Sequence, residues 1–421
     1  MSQTDKDRLQ YYSRKVKSFI MSPNTHDPQV HPSTYIRFAQ LQPSALFPSL
    51  RRFNYDLGNR SISYIFLFLS PLLESLVLSN IRGFENIIVG PFLAAISSQM
   101  LSKIVLQNGR MSADILKKSI AHFKHLRSAE LSDAVIMSDF GLWEVLGTLP
   151  SLKNLTLKAV DPASHPAHAR QNSNSQSGGR KYFDALESLS VTGSFFFIQH
   201  LLSFINSLCL KSIYASPVIK FVRNEHEHEP EDPFTPSMMI IASKWSQSLK
   251  KLVINLGDTG SEAISKSLML LTDLHEIQTF HLYHSRMGNM DDDVRRLVMS
   301  WPKLRTLSLL PLNQTFISLS TLTVIAETCP ELRYLRIPLD TSTIPPFDTF
   351  SKSLRHNLEV LTVLSIHPAS TQITLECQIQ VTRYLHLIFP FLKSILVHPN
   401  NVTWSGIRDL VKLCQDSRLD K

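Results

Sequence analysis

Cys329-Pro330-Glu331-Leu332-Arg333-Tyr334-Leu335-Arg336-Ile337 holds the pattern that decides the fold. Leu332 leads an apolar-x-x-apolar-x-apolar run. Its last two apolar residues, Leu335 and Ile337, alternate with Tyr334 and Arg336. That is the period of a strand with one face buried. The run recurs as Leu152-Lys153-Asn154-Leu155-Thr156-Leu157 and Leu304-Arg305-Thr306-Leu307-Ser308-Leu309. Further copies lead at Leu73, Leu186, Leu249, Leu358 and Leu392, and looser ones at Val16, Leu50, Leu101, Leu126, Leu210 and Ile277. The fourteen leading positions recur on average about every 29 residues.

This is the signature of a leucine-rich repeat. The leading residue packs from the turn that enters each strand. One repeat cannot bury enough apolar surface to offset the entropy of ordering it, whereas stacked repeats share faces. Between strands the apolar period shifts toward that of a helix, as in Asp114–Phe123, Leu142–Leu149 and the run opened by Asp291-Asp292-Asp293. Three carboxylates at a helix N-terminus are favoured by its dipole. Pro48, Pro71, Pro150, Pro302, Pro330 and Pro390 each stand two residues before a leading position. Proline cannot continue a helix and holds its neighbour extended, so it marks the switch from helix to next strand. The expected fold class is α/β, a leucine-rich-repeat solenoid or horseshoe. One parallel sheet is expected on the concave face and helices on the convex face. The expected divisions are a cap helix at 1–15, repeats over 16–400 and a closing helix at 401–421.

The composition fits. The chain has 421 residues, 43% apolar and 19% charged, which excludes disorder as its main state. Only 13 glycines disfavour a fold built on phosphate-cradling loops. The net charge of +8 permits an acidic partner without demanding nucleic acid. Cys209, Cys329, Cys377 and Cys414 form no CxxC pair and no disulfide framework, so a reducing compartment is expected. No apolar core follows the charged residues Asp5, Lys6, Asp7 and Arg8, as a secretory signal would need. The apolar stretch Ile62–Leu78 is broken by Ser70, Pro71 and Glu74, too soon for a spanning helix. An intracellular protein, cytoplasmic or nuclear, with no membrane contact is expected.

A family resemblance adds to this. Cys329–Ile337 looks like the repeats of F-box proteins. The stretches Asp7–Phe19, Val30-His31-Pro32-Ser33-Thr34-Tyr35 and Leu46–Phe53 resemble basidiomycete-type fungal F-box/leucine-rich-repeat proteins. In that family this region follows the F-box directly. The resemblance implies substrate recognition for an SCF-type ubiquitin ligase. An F-box would open with Leu-Pro and close near a Trp; no Leu-Pro precedes residue 100 and the first Trp is Trp143. The chain therefore reads either as a fragment or as a repeat-only paralogue. Binding to the cullin–RING adaptor is expected only if an F-box is encoded upstream. The Asn that closes the strand in short repeats is absent from the ninth position, held by Gly58, Gly109, Val160 and Gly257, so an asparagine ladder is not expected.

Chemistry-bearing clusters are few. His165 and His168 lie in 161–180, and His226 and His228 in 217–236; both stretches read as loop insertions, their histidines solvated rather than metal ligands. The acidic run Glu225–Asp232 reads as a solvated loop. No Walker A, G-x-S-x-G, H-E-x-x-H or kinase signature occurs, so neither an enzyme, a cofactor, a metal nor a specific nucleic-acid ligand is expected.

The residue after each leading position forms a mostly basic column, including Lys17, Arg51, Arg127, Lys153, Lys211, Lys250, Arg305, Arg333 and Lys393, against the acidic Glu74, Glu187 and Glu359. Two readings stand: exposed stems that shield apolar edges, or a rim that steers an acidic protein surface. The inner sheet face takes the third and fifth repeat positions. Tyr214, Lys251, His281, Tyr334 and Arg336, with Tyr283 beyond, are the candidate protein-binding residues, since Tyr and Arg anchor interfaces. An ordinary exposed strand face is the alternative. The partner expected is a protein substrate on the concave face, with a stand-alone scaffold or inhibitor as the second reading. An enzyme activator acting through an exposed Arg is a third.

Overall fold

The computed structural model describes residues 3–21, 46–57, 62–81, 86–96, 100–109, 111–132, 140–158, 182–218, 234–257, 264–284, 290–311, 316–346, 356–364, 374–397 and 402–419. They form two compact units, Met1–Gly193 with Phe204–Cys209, and Ser194–Ser203 with Leu210–Lys421. The expected insertion at 161–180, and 219–233 of the second, lie outside the described residues, as do His165, His168, His226 and His228.

The first unit is a leucine-rich-repeat solenoid with a parallel sheet in chain order. Its strands are β1 (Ser18–Met21), β2 (Arg52–Asp56), β3 (Ser75–Ser79), β4 (Lys103–Gln107), β5 (Ser128–Ser132), β6 (Asn154–Lys158) and β7 (Ser188–Gly193). Each begins two residues after a leading apolar position. From Leu50 to Leu186 those leading side chains are 0% exposed. The residue between them starts the ladder: the Lys17 carbonyl accepts from both Arg51 and Arg52 N–H at 2.8 and 3.1 Å. The Arg51 carbonyl then does the same for Glu74 and Ser75. One carbonyl serving two amides fixes the register of each turn, which explains why the lead-to-strand offset never varies.

Helices return the chain between strands: Asn86–Ala95, Ala113–Ile120 and Phe140–Gly147, with a 3₁₀ turn at Ile62–Phe68. The first two come so close that a Cβ on Gly90 would lie 2.6 Å from Ile115 Cγ2, so only glycine fits there. The N-terminal helix, Gln3–Ser13, leaves Tyr12 62% exposed. Phe19 of β1 enters an aromatic cluster, its ring 4.4 Å from Phe68, with Phe53 4.7 Å from Phe68. These packed rings anchor this end.

One expectation is corrected in part. The ninth repeat position bears no ladder; at Gly109 a Cβ would stand 2.9 Å from Ile81 Cβ. A short polar ladder sits just before it, through Asn80 and Asn108 at the eighth position and Asp56 at the seventh. Asn108 donates to Asn80 at 3.4 Å and Asn80 to Asp56 at 2.7 Å. Asn80 and Asn108 have φ of 57° and 53°, the left-handed region that Asn tolerates better than most side chains.

The second unit repeats the plan. β8 (Ser212–Pro217), β9 (Lys251–Gly257), β10 (Thr279–His284) and β11 (Thr306–Pro311) run parallel. After the short β12 (Ile317–Ser318) the sheet continues through β13 (Tyr334–Ile337), while β14 (Leu339–Asp340) pairs with β12. β15 (Val360–Val363) and β16 (Ser394–Val397) complete it. Helices Thr235–Trp245, Ile264–Met269, Met290–Ser300, Leu319–Thr328 and Leu375–Ile388 return the chain, and Val402–Leu419 follows the last strand. This unit too is a leucine-rich-repeat solenoid of α/β class. Pro302, Pro330 and Pro390 stand in the turns just past helix ends, where the sequence put the switch.

Turn side chains staple repeat to repeat. In the first unit Ser70 donates to the Pro48 carbonyl at 2.9 Å and accepts from Leu72 N–H at 3.2 Å. Ser207 does the same between Leu186 and Cys209, at 2.7 and 3.1 Å. In the second unit His356 fills the column that proline occupies elsewhere. It bonds the Cys329 carbonyl at 2.7 Å and accepts from Leu358 N–H at 3.1 Å.

Candidate protein-binding face

All six candidate residues lie in the second unit, on the sheet face away from the buried side chains. Strand register sorts them into rows. The lower row runs Ser212, Lys251, Thr279, Thr306, Tyr334, Val360, Ser394. The middle row runs Tyr214, Val253, His281, Ser308, Arg336, Thr362, Leu396. Tyr283 stands in a third row between Asn255 and Leu310. In-register neighbours are about 4.8 Å apart, so each row presents its side chains as one line.

The middle row alternates large and small: Tyr214, Val253, His281, Ser308, Arg336. The small members are covered by their neighbours, Val253 to 7% and Ser308 to 4% exposure, although both point away from the core. Lys251, Tyr334 and Arg336 are exposed; Tyr214, His281 and Tyr283 are half-buried. The His281 and Tyr283 rings stack at 6.3 Å. The result is a corrugated floor with aromatic and cationic ridges.

Its electrostatics are one-sided. Burial first, then the charges of Lys251 and Arg336, hold the His281 imidazole below its ordinary pKa, so both cations bear on it. No Asp or Glu stands in the three rows among the described residues. The first unit differs. There Glu130 sits on the sheet face and pairs with Lys158 at 2.9 Å and Gln107 at 3.0 Å. Burial raises the Glu130 pKa, but these partners bring it below the usual value.

The basic column is a chain of ion pairs more than a uniform rim. In the first unit Arg51 meets Glu74 at 3.0 Å and Lys153 meets Glu187 at 2.6 Å. In the second, Arg305 meets Glu331 at 2.9 Å, and Glu359 lies 3.8 Å from Arg333 and 3.3 Å from Lys393. Lys250, Lys251 and Arg336 have no such partner among the described residues. The column's net charge is written in the sequence, whereas the pairing of residues from successive repeats is not.

The Asp291–Asp293 run stands in the first turn of helix Met290–Ser300, as expected, and one member does more. Asp291 reaches the next helix, accepting from Ser318 N–H at 2.9 Å, Ser318 Oγ at 2.6 Å and Thr321 Oγ1 at 2.6 Å. Arg295 lies 3.3 Å from it. Burial opposes ionisation, but the Ser318 and Thr321 bonds and Arg295 hold its pKa down. This cluster joins two helices rather than offering a reactive group. Among the described residues no group of three His, Cys, Asp or Glu is placed to hold a metal. No described helix is long and apolar enough to cross a membrane.

No protein-family model matches the chain, and no curated protein matches it. Solved structures do. A Bacteroides fragilis protein is 12% identical over 66% of this chain and 68% of its own, with a TM-score of 0.33. Rad7 in its yeast complex with Elc1 is 14% identical over 77% of this chain and 79% of that one, at 0.38. The TLR13 complex with ssRNA13 is 14% identical at a TM-score of 0.39; the match covers 84% of this chain and 55% of that one.

Proposed function

We propose that this chain is a protein-binding repeat scaffold whose partner docks on the open sheet face of the second unit. The observation that carries the reading is the gathering of Tyr214, Lys251, His281, Tyr283, Tyr334 and Arg336 on one helix-free face in three adjoining rows. Rigid aromatics and Arg are the types that supply most binding energy at interfaces. We read the protein as non-enzymatic and intracellular, with 1–15 and 401–421 capping the repeats of 16–400.

The finer proposal is substrate recognition for an SCF-type ubiquitin ligase. It rests on the resemblance of Asp7–Phe19, Leu46–Phe53 and Cys329–Ile337 to the F-box/leucine-rich-repeat family. Adaptor contact is assigned to an F-box, where one is encoded upstream. A stand-alone scaffold or inhibitor is the second reading.

Photo-crosslinking tests the docking face. Benzoyl-phenylalanine placed at Tyr334 or at Tyr283 of the full chain, in cells of its source, should capture the same protein. The same group at exposed Lys118 on the helix Ala113–Ile120 should not. Capture from Lys118 alone, or different proteins from Tyr334 and Tyr283, would overturn it. Ubiquitin conjugates on the captured protein that depend on this chain would separate the ligase reading from the stand-alone one.

A further inference from the structure

We propose that the occupant of this face is an acidic, extended peptide segment of the partner protein, crossing strands β9 to β13 with one carboxylate at Lys251 and another at Arg336. The inference deepens the docking reading above and rests on it.

The argument starts from where free positive charge lies. Along the second unit's column, Arg305, Arg333 and Lys393 are already matched by Glu331 and Glu359. Among the described residues, Lys250 and Lys251 at β9 and Arg336 at β13 have no ion-pair partner, and their face carries no carboxylate. Cations that face water with no partner favour an anion brought from outside.

Spacing gives the ligand its form. From β9 to β13 there are three strand intervals in the sheet, roughly 14 Å at about 4.8 Å each. An extended chain rises about 3.3 Å per residue, so four residues span roughly 13 Å. Residues i, i+2 and i+4 of an extended segment share a face. Two acidic side chains four apart would therefore both point at the sheet, and the flexible stems of Lys251 and Arg336 absorb their two-residue offset along the strands. The residue at i+2 would fall over β10 and β11. There Ser308 is the low floor between the His281 and Arg336 ridges, so a medium apolar side chain fits beside Tyr283 and Tyr334.

A nucleic acid fits less well. Its phosphates recur at every nucleotide and need a continuing row of cations. Beyond Arg336 the middle row turns to Thr362 and to Leu396, which is 53% exposed and apolar. Among the described residues the unpaired charge lies at two places, Lys250–Lys251 and Arg336, and not along a track.

The test uses the full chain and a fluorescein-labelled peptide, Gly-Ser-Glu-Ser-Leu-Ser-Glu-Ser-Gly, read by fluorescence anisotropy. Saturable micromolar binding is expected. It should weaken at least tenfold with Gln in place of both Glu, and weaken as salt rises from 50 to about 300 mM because the pairs are exposed. K251E/R336E should abolish binding, and K251M/R336M should weaken it at least tenfold with unchanged circular dichroism. Equal binding of the Gln peptide, or binding untouched in both double variants, would overturn the proposal. So would a ten-nucleotide oligouridylate that binds more tightly than the peptide and is lost in the same variants. If crosslinks form at Tyr334 and Tyr283 but no acidic peptide binds, the docking reading survives and this inference falls.

Discussion

Replacing His356 by Ala probes how neighbouring repeats are fastened. His356 is 3% exposed, with its ring edge-on to Phe389 at 5.2 Å. Because Nδ1 accepts from Leu358 N–H, the ring proton sits on Nε2 and is donated to the Cys329 carbonyl. Alanine leaves the Leu358 N–H, a buried donor, without a partner at a cost of about 1–3 kcal/mol, whereas the Cys329 carbonyl keeps the Leu332 N–H at 3.1 Å. With the ring's packing also lost, we expect a loss of about 2–4 kcal/mol, large against a total stability of roughly 5–15 kcal/mol. Urea unfolding followed by circular dichroism measures the total. Hydrogen exchange at the Leu358 amide reads the site itself and should lose protection first. The pH dependence has a definite sign. Burial, partly opposed by the bond to Cys329, lowers the pKa of His356 in the folded state. Its stabilising contribution is complete above the unfolded value of about 6.5 and is lost as pH falls from there through the lowered folded value. His356→Ala should therefore flatten the stability profile on the acid side of pH 6.5. A loss under 1 kcal/mol, with Leu358 still protected and the acid slope unchanged, would refute the staple.

Asp291→Ala should cost about 2–4 kcal/mol, since it strips the start of helix Leu319–Thr328 of an ionised acceptor and leaves Arg295 without its carboxylate. Hydrogen exchange at the Ser318 amide should rise in parallel; an unchanged amide would show that the helix start needs no such acceptor. Cysteine reactivity should split by burial: the Cys329 thiol is pushed up to about 11 by its surroundings, whereas Cys209 is exposed. Iodoacetamide at pH 8 should label Cys209 within minutes and Cys329 only after unfolding, and equal rates would contradict the packing of the Leu319–Thr328 repeat.

What the sequence determined by itself was the periodic part. Leading residues such as Leu152, Leu304 and Leu332 set where strands begin, and each strand starts two residues later. Apolar alternation is a local property of the chain, so it is written in one dimension. The candidate face was legible to the same extent, since Tyr214, Lys251, His281, Tyr334 and Arg336 hold the third and fifth repeat positions. What only the tertiary structure decided was everything that passes between repeats. Glu359 meets Arg333 and Lys393 from about 30 residues away on either side, Asp291 caps a helix of the next repeat, and His356 takes the place of a proline. Asn80 and Asn108 carry the ladder that the ninth position lacks. The physical reason is that these bonds are set by stacking register and side-chain reach. Two residues 20 to 30 apart in the chain become neighbours at about 4.8 Å only once the strands pair.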